Sequence, residues 1–247
     1  MEHNRPRLCR RQQHRQCHTR CCSSQLDRSD NMNMDVLIIG AGGHGKVVLD
    51  ILRAARDVNP VGFIDADASL AGTTVAGLEV LGGPNLLPKL RKKYSHAIVA
   101  IGDNRARRRY AAAAREAGFE LINAIHPAAS VSRSATMGKN VVVSAGAVIC
   151  TEAQVADSVI INTSAVVDHE CVVGEAAHIC PGALLAGRVR VGEEAFVGLG
   201  AKVIQCLCVG EHAIVGAGAV VIADVPDHLT VVGIPARAAK MAQMLIS

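Results

Sequence analysis

The chain contains no Trp, three Phe and two Tyr among 247 residues, yet half of its residues are hydrophobic. A core of that composition has to be built from Val, Ile, Leu and Ala, which suits stacked, regular layers better than an irregular globule. Long apolar runs are also missing. None reaches the ~18 residues of a membrane span. Residues 1–30 are basic and polar, without the apolar segment of a secretory signal peptide. Excess charge is confined to one end. Residues 1–33 hold seven Arg and three acidic residues, which accounts for the whole net charge of +4. The other 19 basic and 19 acidic residues cancel. The body of the chain therefore gives no electrostatic reason to expect nucleic acid or membrane insertion. Nine Cys, an odd number, and no secretory signal predict a reducing, cytoplasmic location.

Four of those cysteines lie in residues 1–33. His14, Cys17, His18, Cys21 and Cys22 are close together there, but their spacing matches no zinc pattern. No metal is expected. Residues 1–33 read as a disordered extension, or as the product of a start codon placed too early, since Met32 and Met34 directly precede the first strand.

Residues 34–127 alternate short apolar runs with helical stretches. Strands are predicted over Asp35–Ile39, Val61–Asp65, His96–Ile101 and Leu121–Ile125. Helices are predicted over Lys46–Arg56, Pro84–Tyr94 and Asn104–Ala117. Strands alternating with helices imply a small Rossmann-like parallel sheet of βαβ units. Gly40-Ala-Gly42-Gly43-His44-Gly45 follows the first strand and opens the first helix, and Asp65 comes at the end of the second strand. That is the dinucleotide fingerprint, with a phosphate seat on a helix N-terminus and a carboxylate for a ribose about 20 residues further on. The segment holds only half of a doubly wound domain, so a single nucleotide or nucleotide-sugar fits it better than NAD.

From Val131 the period changes. An aliphatic residue recurs at every sixth position through Val221, and four residues after each one a small residue predominates, among them Ala147, Ala165, Cys171 and Ala183. Gly often follows the aliphatic residue directly, as at Gly138, Gly174, Gly192 and Gly210, where it is expected to relieve backbone strain. Each hexad reads as one short strand and a turn. Three hexads close a triangular coil of about 18 residues, and coil stacks on coil as a parallel β-helix over residues 128–226. A sandwich of short strands would not hold one register so long. Residues 227–247 read as a turn-rich exit and a short helix from about Ala236.

Asp168-His169-Glu170 stands out within the repeat. His169 is two positions past Val167, outside the aliphatic and small positions, so it should project outward. A His beside carboxylates is a candidate general base, since a carboxylate on one ring nitrogen fixes the tautomer and raises basicity. Cys171 sits at a small-core position and reads as packing.

Residues 35–240 resemble the bacterial sugar acetyltransferases of the hexapeptide-repeat superfamily, in the branch of nucleotide-amino-sugar N-acetyltransferases and sialic acid O-acetyltransferases. The resemblance is carried by Ile39-Gly-Ala-Gly-Gly-His-Gly-Lys-Val-Val, by the segment from Ile161 to Ile179 and by Val232-Gly-Ile-Pro-Ala-Arg. It implies a left-handed β-helix, a homotrimer with active sites between subunits, acetyl-CoA as donor and a nucleotide-sugar as acceptor. On this resemblance His169 matches the general base and Glu170 its carboxylate. His178 matches a residue beside the thioester, and Gly187 an oxyanion-binding N–H. Leu199 and Ala217 match CoA contacts. Gly42, Gly43, His44, Asp65 and Gly102 match nucleotide-sugar contacts. N- and O-acetylation both remain open. So do an NAD-dependent oxidoreductase carrying a β-helix for oligomerisation, and a non-catalytic trimeric scaffold.

Overall fold

The computed structural model describes residues 34–55 and 57–239; residues 1–33 and the end of the expected C-terminal helix lie outside the described residues. The first part is a six-stranded sheet. Its strands are β1 (Met34–Ile39), β2 (Val58–Ile64), β3 (Thr74–Val75), β4 (Leu78–Gly82), β5 (His96–Val99) and β6 (Glu120–Leu121), in the order β3-β4-β2-β1-β5-β6. All neighbouring pairs are parallel except β3 with β4. Helix α1 spans Gly43–Ala55, α2 Leu87–Leu90 and α3 Asn104–Glu116. The sheet is buried on both sides. Val36 and Ile38 pack with Val48 and Leu52 of α1, while Leu37, Ile39 and Val99 pack with Ala111 and Ala114 of α3.

Three differences from the sequence expectation have physical reasons. The β3–β4 hairpin is missed because two short strands give no usable period. Of Pro84–Tyr94, only a 3-10 turn and the four residues of α2 are helical. The strand expected over Leu121–Ile125 is two strands. Glu120–Leu121 closes the α/β sheet, whereas Ala124–Ile125 pairs with Val142–Val143 and is the first rung of the β-helix. Ile125 is one hexad before Val131, so it already obeys the repeat.

From there, two-residue strands recur once per hexad to Val220–Val221 and form three flat faces of a left-handed parallel β-helix. The first face starts at Ala124–Ile125, the second at Ser130–Val131 and the third at Thr136–Met137, each pairing with the strand one coil on. The second residue of each strand points inward: from Val143 to Val221 every hexad aliphatic is at most 4% exposed. The small residues four positions later, such as Ala147, Ala165 and Cys171, are fully buried. Beyond Val221 the described residues include a strand at Thr230–Val232 that pairs antiparallel with Arg237–Ala238, where a helix was expected to begin. There Ala239 N–H is bonded to the Thr230 carbonyl, across strands rather than along a helix.

The turns also correct an expectation. Left-handed φ falls three residues after the aliphatic position, at Asn140, Glu152, Ser164, Glu170, Arg188 and Cys206 as well as at Gly146, Gly182, Gly200 and Gly218. The glycines directly after the aliphatic residue have ordinary φ and serve close packing instead. A Cβ on Gly192 would lie 2.5 Å from the Glu211 N and 2.7 Å from the Gly210 carbonyl carbon, one coil on.

The α/β part docks on the first face. Outward-facing Val142 and Ile160 of that face share a core with Val48 and Leu52 of α1. Helix α3 lies along the edge where the third face turns into the first. There Arg115 pairs with Asp157, and Arg108 with Glu175, Glu193 and Glu194. Asn104 donates to the Glu194 carbonyl. The Arg-rich composition of α3 is thus consumed inside the molecule.

The two glycine roles separate experimentally. Gly192→Ala should lower stability by about 1–3 kcal/mol, the usual overpacking cost. Gly200→Asn, at φ +63 with no heavy atom within 4 Å of an added Cβ, should cost under about 1 kcal/mol, since Asn tolerates left-handed φ. Urea-denaturation midpoints of the two variants compare them directly.

Candidate active site

Two groups of functional side chains emerge, on opposite sides of the molecule. The first surrounds a pocket of about 260 Å³ at the C-terminal ends of β1, β2 and β5. Gly42, Gly43, His44, Asp65 and Gly102 all line it, together with Pro84 and Tyr110, which sequence reasoning did not select. The glycines divide their work. A Cβ on Gly40 would strike the Ala100 carbonyl at 2.7 Å, and one on Gly45 would strike the Gly40 carbonyl. Gly42 and Gly43, by contrast, have nothing within 4 Å and face open space at the N-terminus of α1. Asp65 holds this loop: its Oδ2 accepts from Ala41 N–H at 2.6 Å and its Oδ1 from Asp67 N–H at 2.9 Å.

The pocket floor is tied to the β-helix by Arg107. Its guanidinium is fully buried and donates to the carbonyls of Ile101, Gly102, Ser158 and Ala176 and to Asn104 Oδ1. Burial pushes its pKa down to about 10, against the pull of Asp103 and Glu194. Burial first, and then this cation, lowers His44 to about 4 and His178 to about 3. His178 sits on the first face, edge-on to Phe196. Thr163 N–H donates to Asn162 Oδ1, so Asn162 Nδ2 faces His178 Nε2 at 3.1 Å and donates to it. The His178 proton is thereby placed on Nδ1. That Nδ1 and His44 Nε2 are buried without a hydrogen-bond partner among the described residues.

The second group lies on the edge between the second and third faces, across the prism from the first face. His169 is half exposed there, as its place in the hexad predicts. Its Nδ1 lies 3.0 Å from Glu170 Oε2, and the same oxygen accepts from Arg188 Nε at 2.9 Å. The Arg188 bond first, and the His169 bond second, hold the Glu170 carboxyl below the usual carboxylate range. An ionised carboxylate on Nδ1 leaves the proton there and the lone pair on Nε2. The Asp168 carboxylate serves the backbone instead: its Oδ1 accepts the His169 backbone N–H at 2.7 Å. The imidazole lies directly over Gly187, one coil on: a Cβ there would collide with Nε2, Cε1 and Cδ2 of the ring. Leu199 and Ala217 are exposed on the remaining edge, between the first and second faces. Among the described residues no group of three or more His, Cys, Asp or Glu could hold a metal ion, and no helix is long and apolar enough to cross a membrane.

Comparison with known proteins identifies the combination. The profile of the PglD N-terminal domain matches residues 35–114. PerB from Caulobacter crescentus, solved with CoA and GDP-perosamine, superposes with a TM-score of 0.80 at 46% identity, covering 83% of this chain and 97% of PerB. The chain belongs to the nucleotide-amino-sugar N-acetyltransferase branch of the hexapeptide-repeat family. The acetyltransferase domain of PglB from Neisseria gonorrhoeae, solved with acetyl coenzyme A, gives the same TM-score at 42% identity, covering 84% of this chain and 100% of that one. The UDP-N-acetylbacillosamine N-acetyltransferase of Bacillus subtilis is 37% identical over 114 residues. That match spans 45% of this chain and about half the length of the curated relative, 51%. In this chain the two groups of side chains sit on one scaffold, an α/β layer docked on a β-helix.

Two measurements follow. Because His44 and His178 are held neutral, their contribution to stability is intact above pH 6.5 and is lost as pH falls from 6.5 toward about 4 and about 3. Urea midpoints should decline across that window, and His44→Asn should flatten the decline. Separately, Gly187→Ala should displace the His169 ring and lower turnover by about a hundredfold, the scale of an ångström-sized misplacement, with the melting temperature nearly unchanged.

Proposed function

We propose that the protein transfers the acetyl group of acetyl-CoA to the amino group of a nucleotide-linked amino-sugar, with His169 as general base. The observation that carries this reading is the His169–Glu170 pair with Nε2 free above the Gly187 backbone. His169 Nε2 takes a proton as the sugar nitrogen attacks the thioester carbonyl, and an amine that arrives protonated loses one proton beforehand. The C–N bond forms, the tetrahedral oxyanion is met by the Gly187 N–H, the C–S bond breaks, and the CoA thiolate leaves with the proton. Gly42, Gly43, His44, Asp65 and Gly102 hold the nucleotide-sugar in the α/β pocket. Leu199 and Ala217 line the acetyl-CoA site with His178 toward its thioester. Two further structures of the Caulobacter protein carry one histidine changed to Asn or to Ala, each with CoA and GDP-perosamine bound.

The active unit in this reading is a homotrimer. His169 lies on the edge opposite the face that carries its own nucleotide pocket, so base and acceptor meet only when a second copy supplies one of them. Leu184, Ile204 and Ile222 are exposed beside the His169 edge, an apolar strip fit to be covered by that copy. Amino rather than hydroxyl transfer is favoured because PerB and the Bacillus relative are N-acetyltransferases by name. The oxidoreductase reading rests only on the Gly-rich loop, and nothing in the matches favours it. The enzyme is placed in the cytoplasm, where acetyl-CoA is available.

A CoA-release assay across GDP-, UDP- and dTDP-linked amino-sugars tests the proposal. At least one should support turnover, and His169→Ala should lower kcat by about 10²–10⁴-fold. Near-normal turnover in His169→Ala would remove His169 from the mechanism.

A further inference from the structure

His169 and Glu170 are paired in the sequence, but the third member of their constellation comes from the next coil. Arg188 stands one coil after Glu170, directly above it in the β-helix. Both occupy the left-handed turn position, with φ of 59° at Glu170 and 62° at Arg188. Arg188 Nε donates to Glu170 Oε2 at 2.9 Å, the oxygen 3.0 Å from His169 Nδ1. One carboxylate oxygen therefore serves two donors. This sharing has two effects. It pins the carboxylate with a second donor on the same oxygen, and it draws off negative charge that would otherwise stabilise the imidazolium.

We propose that Arg188 is a positioning residue for the general base, one that sets the pH at which His169 becomes competent. Arg188 touches no reacting atom; it acts through Glu170. Three other ionisable groups stand near the constellation, and a fourth, Glu152, holds the same left-handed turn position as Glu170 one coil below, with Arg188 on the opposite side one coil above. Asp168 is occupied by the His169 backbone N–H and faces Cys150, and the Cys206 thiol flanks Arg188 from the following coil. None of these takes the place of Arg188 on Glu170 Oε2. The inference rests on the reading of His169 as base and adds to it the source of its working pH.

The experiment is a set of kcat/KM–pH profiles for wild type, Arg188→Gln and Arg188→Lys, with KM for acetyl-CoA measured alongside. Without the cation, the full Glu170 charge falls on His169, so the base stays protonated to higher pH. Arg188→Gln should move the acidic limb up by about half a unit to one unit. Turnover should fall several-fold on the acid side and stay within about threefold on the alkaline plateau, at unchanged KM for acetyl-CoA. Arg188→Lys, which keeps the charge, should bring the limb most of the way back. A limb that does not move in Arg188→Gln overturns the proposal. So does a tenfold rise in KM for acetyl-CoA with an unmoved limb, which would make Arg188 a donor contact. His169→Ala is run in parallel: if it leaves the profile intact, the base assignment itself fails, and that failure is distinct from an unmoved limb in an enzyme that does depend on His169.

Discussion

The buried guanidinium of Arg107 is the contact on which the rest of the structure depends. A charge taken wholly out of water costs several kcal/mol unless its donors are all satisfied. Here they are satisfied mainly by backbone carbonyls from two places in the chain. Ile101 and Gly102 belong to the wall of the nucleotide pocket, and Ser158 and Ala176 to two successive coils of the β-helix. The pocket is thereby registered against the repeat at one rotational setting. Among the described residues no carboxylate is hydrogen-bonded to Arg107, so its charge reaches His44 and His178 and adds to burial, the larger cause, in keeping both neutral. One residue thus fixes the geometry and reinforces the protonation that burial imposes on the surrounding polar groups.

The same edge explains where the charges of the chain go. Glu175, Glu193 and Glu211 recur once per coil, an acidic column along the corner of the prism. Arg108 of α3 reaches the first two and Glu194 as well. The partly exposed pairs with Glu175 and Glu193 each contribute little, while the side chain of Glu194 is itself largely buried. As a column meeting one helix they act on orientation, choosing which face of α3 lies against the β-helix. Part of the neutral balance of the body is then a matter of internal pairing.

How much of this was legible in the sequence follows from what each signal can encode. The hexad gave the inward and outward positions correctly from Val143 to Val221, because packing in a narrow prism leaves no latitude at the aliphatic and small sites. It therefore placed His169 outward and Cys171 inward. The glycine-rich loop and Asp65 also gathered around one pocket as their spacing suggested. The roles of the repeat glycines were not legible, since composition does not distinguish a glycine needed for φ from one needed for contact. Arg107 was hidden for a similar reason: it sits in the run Arg105-Ala-Arg-Arg-Arg, where nothing local marks one Arg as buried. The residues alone did not choose between Asp168 and Glu170, because adjacency in sequence is not adjacency to the imidazole ring. A turn at left-handed φ sends Glu170, not Asp168, back to Nδ1.

Arg188 shows that a further layer was within reach. Once the length of a coil is known, the residue stacked above any other is given by addition. His169 leads to Gly187, Glu170 to Arg188, and Glu194 to His212, whose Nδ1 lies 3.3 Å from Glu194 Oε2. In an ordinary fold, contacts between residues far apart in sequence have to be discovered from the structure. In a β-helix they repeat at a fixed interval, because hydrogen bonds between coils allow no slippage over many rungs. The consequence for chemistry is that a side chain on this scaffold has few neighbours and little freedom to acquire others. A base at one corner can be adjusted only by its own turn, by the coil below and by the coil above. For His169 those are Glu170 in its own turn, Thr151 and Glu152 in the coil below and Arg188 and Gly187 in the coil above, and variation at these positions is the means this fold has of altering the base without moving it.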